Sequence, residues 1–216
     1  MRIYLLVIPI IIGILFGGMM SIDFLETSQN STTLSKENLL RGSTILGDPN
    51  AKITMVEFGD YQCTFCYKFH ENTLSKIYEK HVNVGNVNFV FKDFPLNGEP
   101  SIRAAEASYC AQKQDRFWEY HNTLYNNWGG ENTGWITEDV LLTFARDSEL
   151  NQKEFEKCMN NSEFRQKVLD NEEFARQNNI NATPSFLIFN DNEVYRIIGA
   201  QPVEKFEQTF QELGNS

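Results

Sequence analysis

The chain has 216 residues, 41% of them hydrophobic and 22% charged, with a net charge of −10. That length is enough to bury one good-sized core, and the composition is globular, with no low-complexity repeat. The acidic balance, without a basic stripe, excludes a partner held through a phosphate backbone, so no nucleic acid is expected.

The N-terminus breaks the globular pattern. Residues 3–20, IYLLVIPIIIGILFGGMM, carry no charge. As a helix they would span roughly 27 Å, close to the ~30 Å hydrocarbon core of a bilayer. Arg2 and the α-amine flank one side, and Asp23 and Glu26 lie beyond the other. The positive-inside bias therefore sends the rest of the chain out of the cytoplasm. No small-x-small cleavage site follows the run, which favours a retained anchor over 1–22; cleavage to a secreted or periplasmic form is the alternative. Residues 23–46 are polar and read as a flexible linker, with a weak glycosylation triplet at Asn30-Ser31-Thr32. The turn Gly47-Asp48-Pro49-Asn50 opens the folded domain, expected over 47–216.

ITMVEF (53–58) reads as a buried strand and VNFVFKDF (87–94) as a second. Between them, Cys66 to Lys80 carries Phe69, Leu74, Ile77 and Tyr78 as an approximate helical stripe. This order implies a βαβ unit with a parallel pair. From about 99 to 178 the periodicity is helical, with candidates at 100–113, 115–127, 137–147, 151–160 and 162–178. Phe117, Tyr120, His121, Leu124, Tyr125 and Trp128 share one face of the second, which reads as core, or less readily as a rim for peptide. SFLIF (185–189) and EVYRIIG (193–199) flank the hairpin turn Asn190-Asp191-Asn192, and a last helix runs over 202–213. The expected class is α/β, a β-α-β and β-β-α pair of halves separated by an all-helical insertion.

Chemistry concentrates in EFGDYQCTFC, where Cys63 and Cys66 flank Thr64 and Phe65. A zinc clip needs a second pair, and Cys110 and Cys158 stand alone; His70, His81 and His121 show no ligand spacing with them. No Gly-rich phosphate loop occurs, so neither metal nor organic cofactor is expected. The setting favours redox chemistry: the pair follows a buried strand and opens a helix. The helix N-terminus stabilises an anion at Cys63, and the next turn brings Cys66 beside it. Cys63 then exchanges with a disulfide and Cys66 resolves the mixed disulfide. Glu57, in an apolar run, suits proton transfer for Cys66 if buried; a surface acid on an alternating strand is the alternative. Lys92 on the neighbouring strand is a candidate partner for Glu57. Ala182-Thr183-Pro184-Ser185 precedes SFLIF, and a cis Pro184 would present the Thr183 backbone to an incoming peptide. An ordinary trans turn is the alternative. Four cysteines in an exported domain suggest two pairs.

Together EFGDYQCTFC, VNFVFKDFPL, AAEASYCAQKQDRFWEYHNTLY and NATPSFLIF resemble the DsbA-like thiol–disulfide oxidoreductases, the branch of the thioredoxin superfamily with a helical insertion. The resemblance covers about 45 to 213. It implies a thioredoxin-like fold, Cys63 as nucleophile, Cys66 as resolving cysteine and Pro184 as the cis-proline. Glu57 stands where the family carries its buried acid, six residues before the first cysteine. Some relatives link cysteines placed like Cys110 and Cys158, which implies a structural disulfide; two buried free thiols are the alternative. One departure is Thr64-Phe65, where the best-known oxidases carry Pro-His. The histidine helps hold the thiolate, so its absence leaves the direction of reaction open.

The resulting expectation is a membrane-anchored, extracytoplasmic enzyme that oxidises cysteine pairs in exported proteins. A quinone-linked membrane partner of the DsbB or vitamin K epoxide reductase type would reoxidise it. The rivals are a reductase or isomerase of the same fold, and a redox-inactive peptide-binding chaperone.

Overall fold

The computed structural model describes residues 35–215. The expected anchor over 1–22 and the first part of the linker lie outside the described residues. Among the described residues, no helix is long and apolar enough to cross a membrane.

Helix α1 (Lys36–Leu40) starts where the Ser35 hydroxyl accepts the Asn38 N–H. Strand β1 (Ile45–Leu46) follows and pairs antiparallel with the second long strand. The expected linker is therefore folded from Ser35 onward. Four apolar side chains explain why: Leu39 is buried, Leu40 and Ile45 pack against the same core cluster, and Leu46 packs against the cluster on the other side of the sheet.

The sheet has the order β1-β3-β2-β4-β5. Strands β2 (Ile53–Gly59) and β3 (Val87–Asp93) run parallel and are buried at every residue, as a sheet covered on both faces requires. Strand β4 (Ser185–Phe189) pairs antiparallel with β2, and β5 (Val194–Ile198) antiparallel with β4. Met55, Phe89, Phe186 and Ile188 face one side and pack under Phe69, Ile77, Phe206 and Phe210. Val56, Phe58, Val90 and Leu187 face the other and meet Leu39, Phe174 and Ala175.

The helix after β2 is broken into α2 (Thr64–Phe69), a π-helical turn at His70–Leu74, α3 (Ser75–Ile77) and a second π-helical turn at Tyr78–Val82. The helix expected over 66–80 is present, with two π-helical turns within it that its approximate stripe did not foresee. The buried residues Phe69 and Leu74, and then Ile77 and Val82, are spaced by five. Wider turns bring such pairs onto one face, and Tyr78 is left 40% exposed.

The insertion consists of α4 (Glu99–Gln112), α5 (Phe117–Asn126), α6 (Glu138–Asp147), α7 (Gln152–Asn160) and α8 (Arg165–Gln177). Its core includes Tyr120, Leu141 and Phe155 and is continuous with Tyr61, Cys63 and Cys66. Phe117, Tyr120, His121, Leu124 and Tyr125 are all buried, so that face is core. Helix α9 (Val203–Gly214) closes the chain on the sheet.

Candidate active site

The site forms where β2 ends. The Asp60 carboxylate pins the following turn: Oδ1 accepts from Gln62 N at 2.8 Å and Ser101 Oγ at 2.6 Å, and Oδ2 from Asn97 N at 2.8 Å and Nδ2 at 3.1 Å. Its carbonyl accepts the Cys63 N–H at 3.0 Å. Burial raises the Asp60 carboxyl, and these four hydrogen bonds oppose the rise. Trp128 braces the same turn from the insertion. Its Nε1 donates to Gln62 O at 3.1 Å, and its ring stacks on Tyr67 with centroids 4.5 Å apart.

Cys63 thereby sits at the N-cap of α2, only 6% exposed. The Thr183–Pro184 peptide is cis, and the Cys63 thiol donates to Thr183 O at 3.4 Å. The register of β4 against β2 makes this contact, since Ser185 lies opposite Phe58. The Cys63 thiol is lowered from 9.0 to about 6. The Cys66 side chain is the main cause; burial opposes it, and Thr183 and the N–H groups of Cys66 and Phe65 add to it. Cys66 is fully buried, and burial first, then its hydrogen bond to Cys63, pushes its thiol well up. The Asp60 N–H approaches Cys66 Sγ at 3.5 Å. Both thiols are free, so the structure is the dithiol form.

Glu57 is 2% exposed, and its Oε1 has no hydrogen-bond partner. Burial, and then the Cys63 charge, hold its carboxyl well above the usual carboxylate range. It is coupled in turn to Cys66, whose thiol its charge raises. Gly59 keeps the space beside it open, because a Cβ there would meet the Phe91 ring and lie 3.1 Å from Glu57 Oε1. The suggested Lys92–Glu57 pairing does not occur. In the β2–β3 register Glu57 lies opposite Phe91 and Lys92 opposite Phe58, so the two side chains leave opposite faces. Lys92 Nζ instead donates to Asn171 Oδ1 at 3.3 Å.

Cys110 and Cys158 are joined in a disulfide with Cα atoms 5.8 Å apart, tying α4 to α7. Phe65 is 56% exposed between the two active-site cysteines. Two polar groups at the site escaped the sequence reading. Asp60 has no local sequence signal for its contacts with Asn97 and Ser101. Glu131, in the loop after α5, accepts the Thr64 N–H at 2.9 Å. Nothing in the sequence around Glu131 ties that loop to Cys63.

An acidic, barely accessible thiol lies beside a buried, weakly acidic one, with a proton-holding carboxyl nearby and a backbone carbonyl facing the sulfur. That arrangement exchanges dithiols with disulfides, and with this fold it defines a thiol–disulfide oxidoreductase of thioredoxin-like architecture. The chain matches the family model described as Thioredoxin over residues 40–211, and it belongs to that family. It is 28% identical over 166 residues to Disulfide bond formation protein D of Bacillus subtilis, covering 76% of this chain and 75% of that protein. The crystal structure of oxidised BdbD from Bacillus subtilis superposes with a TM-score of 0.74 at 26% identity, over 82% of this chain and 95% of that one. Wolbachia pipientis alpha-DsbA1 gives a TM-score of 0.72 at 28% identity, over 81% and 92%.

Proposed function

We propose that this enzyme is held at the membrane by residues 3–20 and oxidises cysteine pairs of exported proteins outside the cytoplasm. The acidity of Cys63 carries the reading. A thiol lowered to about 6 leaves readily as a thiolate, and a stabilised reduced form makes the disulfide a stronger oxidant. The name of the Bacillus relative, a disulfide bond formation protein, supports the same direction.

In the oxidised enzyme a substrate thiolate attacks Cys63 Sγ. The Cys63–Cys66 bond breaks, and Cys66 leaves with the electron pair and takes a proton, for which the Glu57 carboxyl is the donor. The second substrate thiol loses its proton and attacks the substrate sulfur of the mixed disulfide. Cys63 leaves as thiolate, the substrate carries the new disulfide, and two electrons stay on the Cys63/Cys66 pair. The Thr183 backbone, facing Cys63, is positioned to align the incoming chain. A membrane partner of the quinone-linked DsbB or vitamin K epoxide reductase type would remove the two electrons.

A reductase is the second reading, and Phe65 favours it, because an apolar ring offers the thiolate no hydrogen bond. Redox titration of the purified protein in glutathione buffers, read by alkylation and mass mapping, separates the two. A potential of about −120 to −180 mV supports the oxidase, and one near about −270 mV the reductase. Alkaline carbonate extraction tests the anchor: protein released from the membrane pellet would rule out a retained span.

A further inference from the structure

Cys63 is the N-cap residue of α2, and its side chain makes no capping hydrogen bond there. The nearby N–H groups of Phe65 and Cys66 help to lower its thiol. The N–H of Thr64, between them and Cys63 in the chain, is taken by Glu131 Oε2 at 2.9 Å. Glu131 comes from a separate element, the loop between α5 and α6, 67 residues away.

That loop is held against the site on both sides of Glu131. Trp128 donates to Gln62 O at 3.1 Å, and Asn132 Nδ2 donates to Asn97 Oδ1 at 3.4 Å, the same Asn97 that binds Asp60. Thr133 Oγ1 folds the loop on itself by donating to Gly129 O at 2.9 Å. Gly130, at φ 106°, supplies a bend that a side chain would resist. The carboxylate is thus delivered to the end of α2 by the insertion.

We propose that Glu131 is a positioning residue that tunes the redox centre: its charge shares the α2 N-terminus with the Cys63 thiolate and holds the pair at a less oxidising potential than the helix alone would set. The proposal rests on Cys63 being the reactive thiol. Two anions at one helix end repel. Other titratable groups around Cys63 are Cys66 on α2 and Glu57 on β2, both coupled to it. Lys68 of α2 lies over the Phe65 ring, and the segment 182–185 carries no charge. Because Glu131 is exposed, its charge acts through solvent, and salt weakens it.

The test compares full-length wild type, E131Q and E131A. Cys63 ionisation is followed by thiolate absorbance against pH, and the Cys63/Cys66 potential by titration in glutathione buffers. E131Q keeps an acceptor for the Thr64 N–H and removes only the charge. The expected result is that both variants ionise Cys63 more readily, by about twofold to fivefold. Their potentials then become less negative, by about 20 mV for a fivefold change. The E131Q effect should shrink in ~1 M salt. A shift in E131A alone would assign the effect to loop geometry and overturn the proposal, as would no shift in either. A wild-type chain with no reversible Cys63/Cys66 disulfide would instead sink the functional reading and the proposal with it. A normal wild-type potential beside a silent E131Q sinks the proposal alone.

Discussion

Cys63 and Glu57 are moved in opposite directions by their surroundings, and each movement has a measurable sign. Cys63 is depressed from 9.0 to about 6. Its thiolate therefore stabilises the folded dithiol form fully above about pH 9, and that contribution is lost as pH falls through about 6. The disulfide form lacks the titration. The melting temperature of the reduced protein, relative to the oxidised one, should rise across this window; a flat difference would contradict the depressed thiol. Glu57 behaves in the reverse sense, because its folded value is raised by burial. Its neutral form is fully accommodated below about pH 4.3, and stability is lost as pH rises through the folded value. Glu57→Gln should therefore be more stable than wild type toward neutral pH. It should also slow formation of the mixed disulfide at least about tenfold, because the proton donor to the departing Cys66 is gone. Stopped-flow measurement of that step, with denaturation midpoints at acid and neutral pH, checks both.

At the scale of elements, the Cys110–Cys158 bridge and the Asp60 turn act separately. The bridge closes a separation of 48 residues between α4 and α7. On chain entropy alone, its removal should cost about 4 kcal/mol. A C110A/C158A double variant should show that loss in urea unfolding while still cycling Cys63/Cys66 below its new midpoint. A loss under about 1 kcal/mol would deny the bridge a structural role. The Asp60 turn joins β2 to α4 through Asn97 and Ser101. It sets the position from which α2 starts, and so ties the redox loop to the insertion.

At the scale of the molecule, the sheet is enclosed by pieces drawn from both ends of the described chain. Leu39 of α1 packs with Val56, Phe58 and Phe174, and β1 extends the sheet beyond β3. A chain shortened to begin at residue 47 should lose about 2–4 kcal/mol relative to one beginning at residue 35, because it loses a buried leucine and a paired edge. Equal urea midpoints for the two would show that α1 and β1 contribute nothing. The redox pair lies where the sheet-and-helix unit meets the insertion. Cys63 and Cys66 share a core cluster with Tyr120, Leu141 and Phe155 from the inserted helices.

Contiguous residues were enough to read strands β2 to β5, the inserted helices and the cysteine pair. Short apolar runs for the strands, period-3.6 burial for the helices, a cysteine at a helix start and a proline before a strand are local physics, expressed within a few residues. Buried surroundings for Glu57 could be inferred from its apolar run, but the absence of a cation beside it could not. The parallel register turned Lys92 to the other face. Spacer-like composition hid α1 and β1, because their four apolar residues gain value only once a distant core exists to receive them. Regular periodicity likewise missed the two π-helical turns, where packing on the sheet outweighed the ordinary helical repeat. Asp60 meets Asn97 and Ser101 across 37 and 41 residues, and Glu131 meets Thr64 across 67. Such contacts are decided by where the insertion docks, and it docks through the summed burial of many side chains. The kind of chemistry was therefore written locally around Cys63, whereas the groups that surround it were brought together only by tertiary packing.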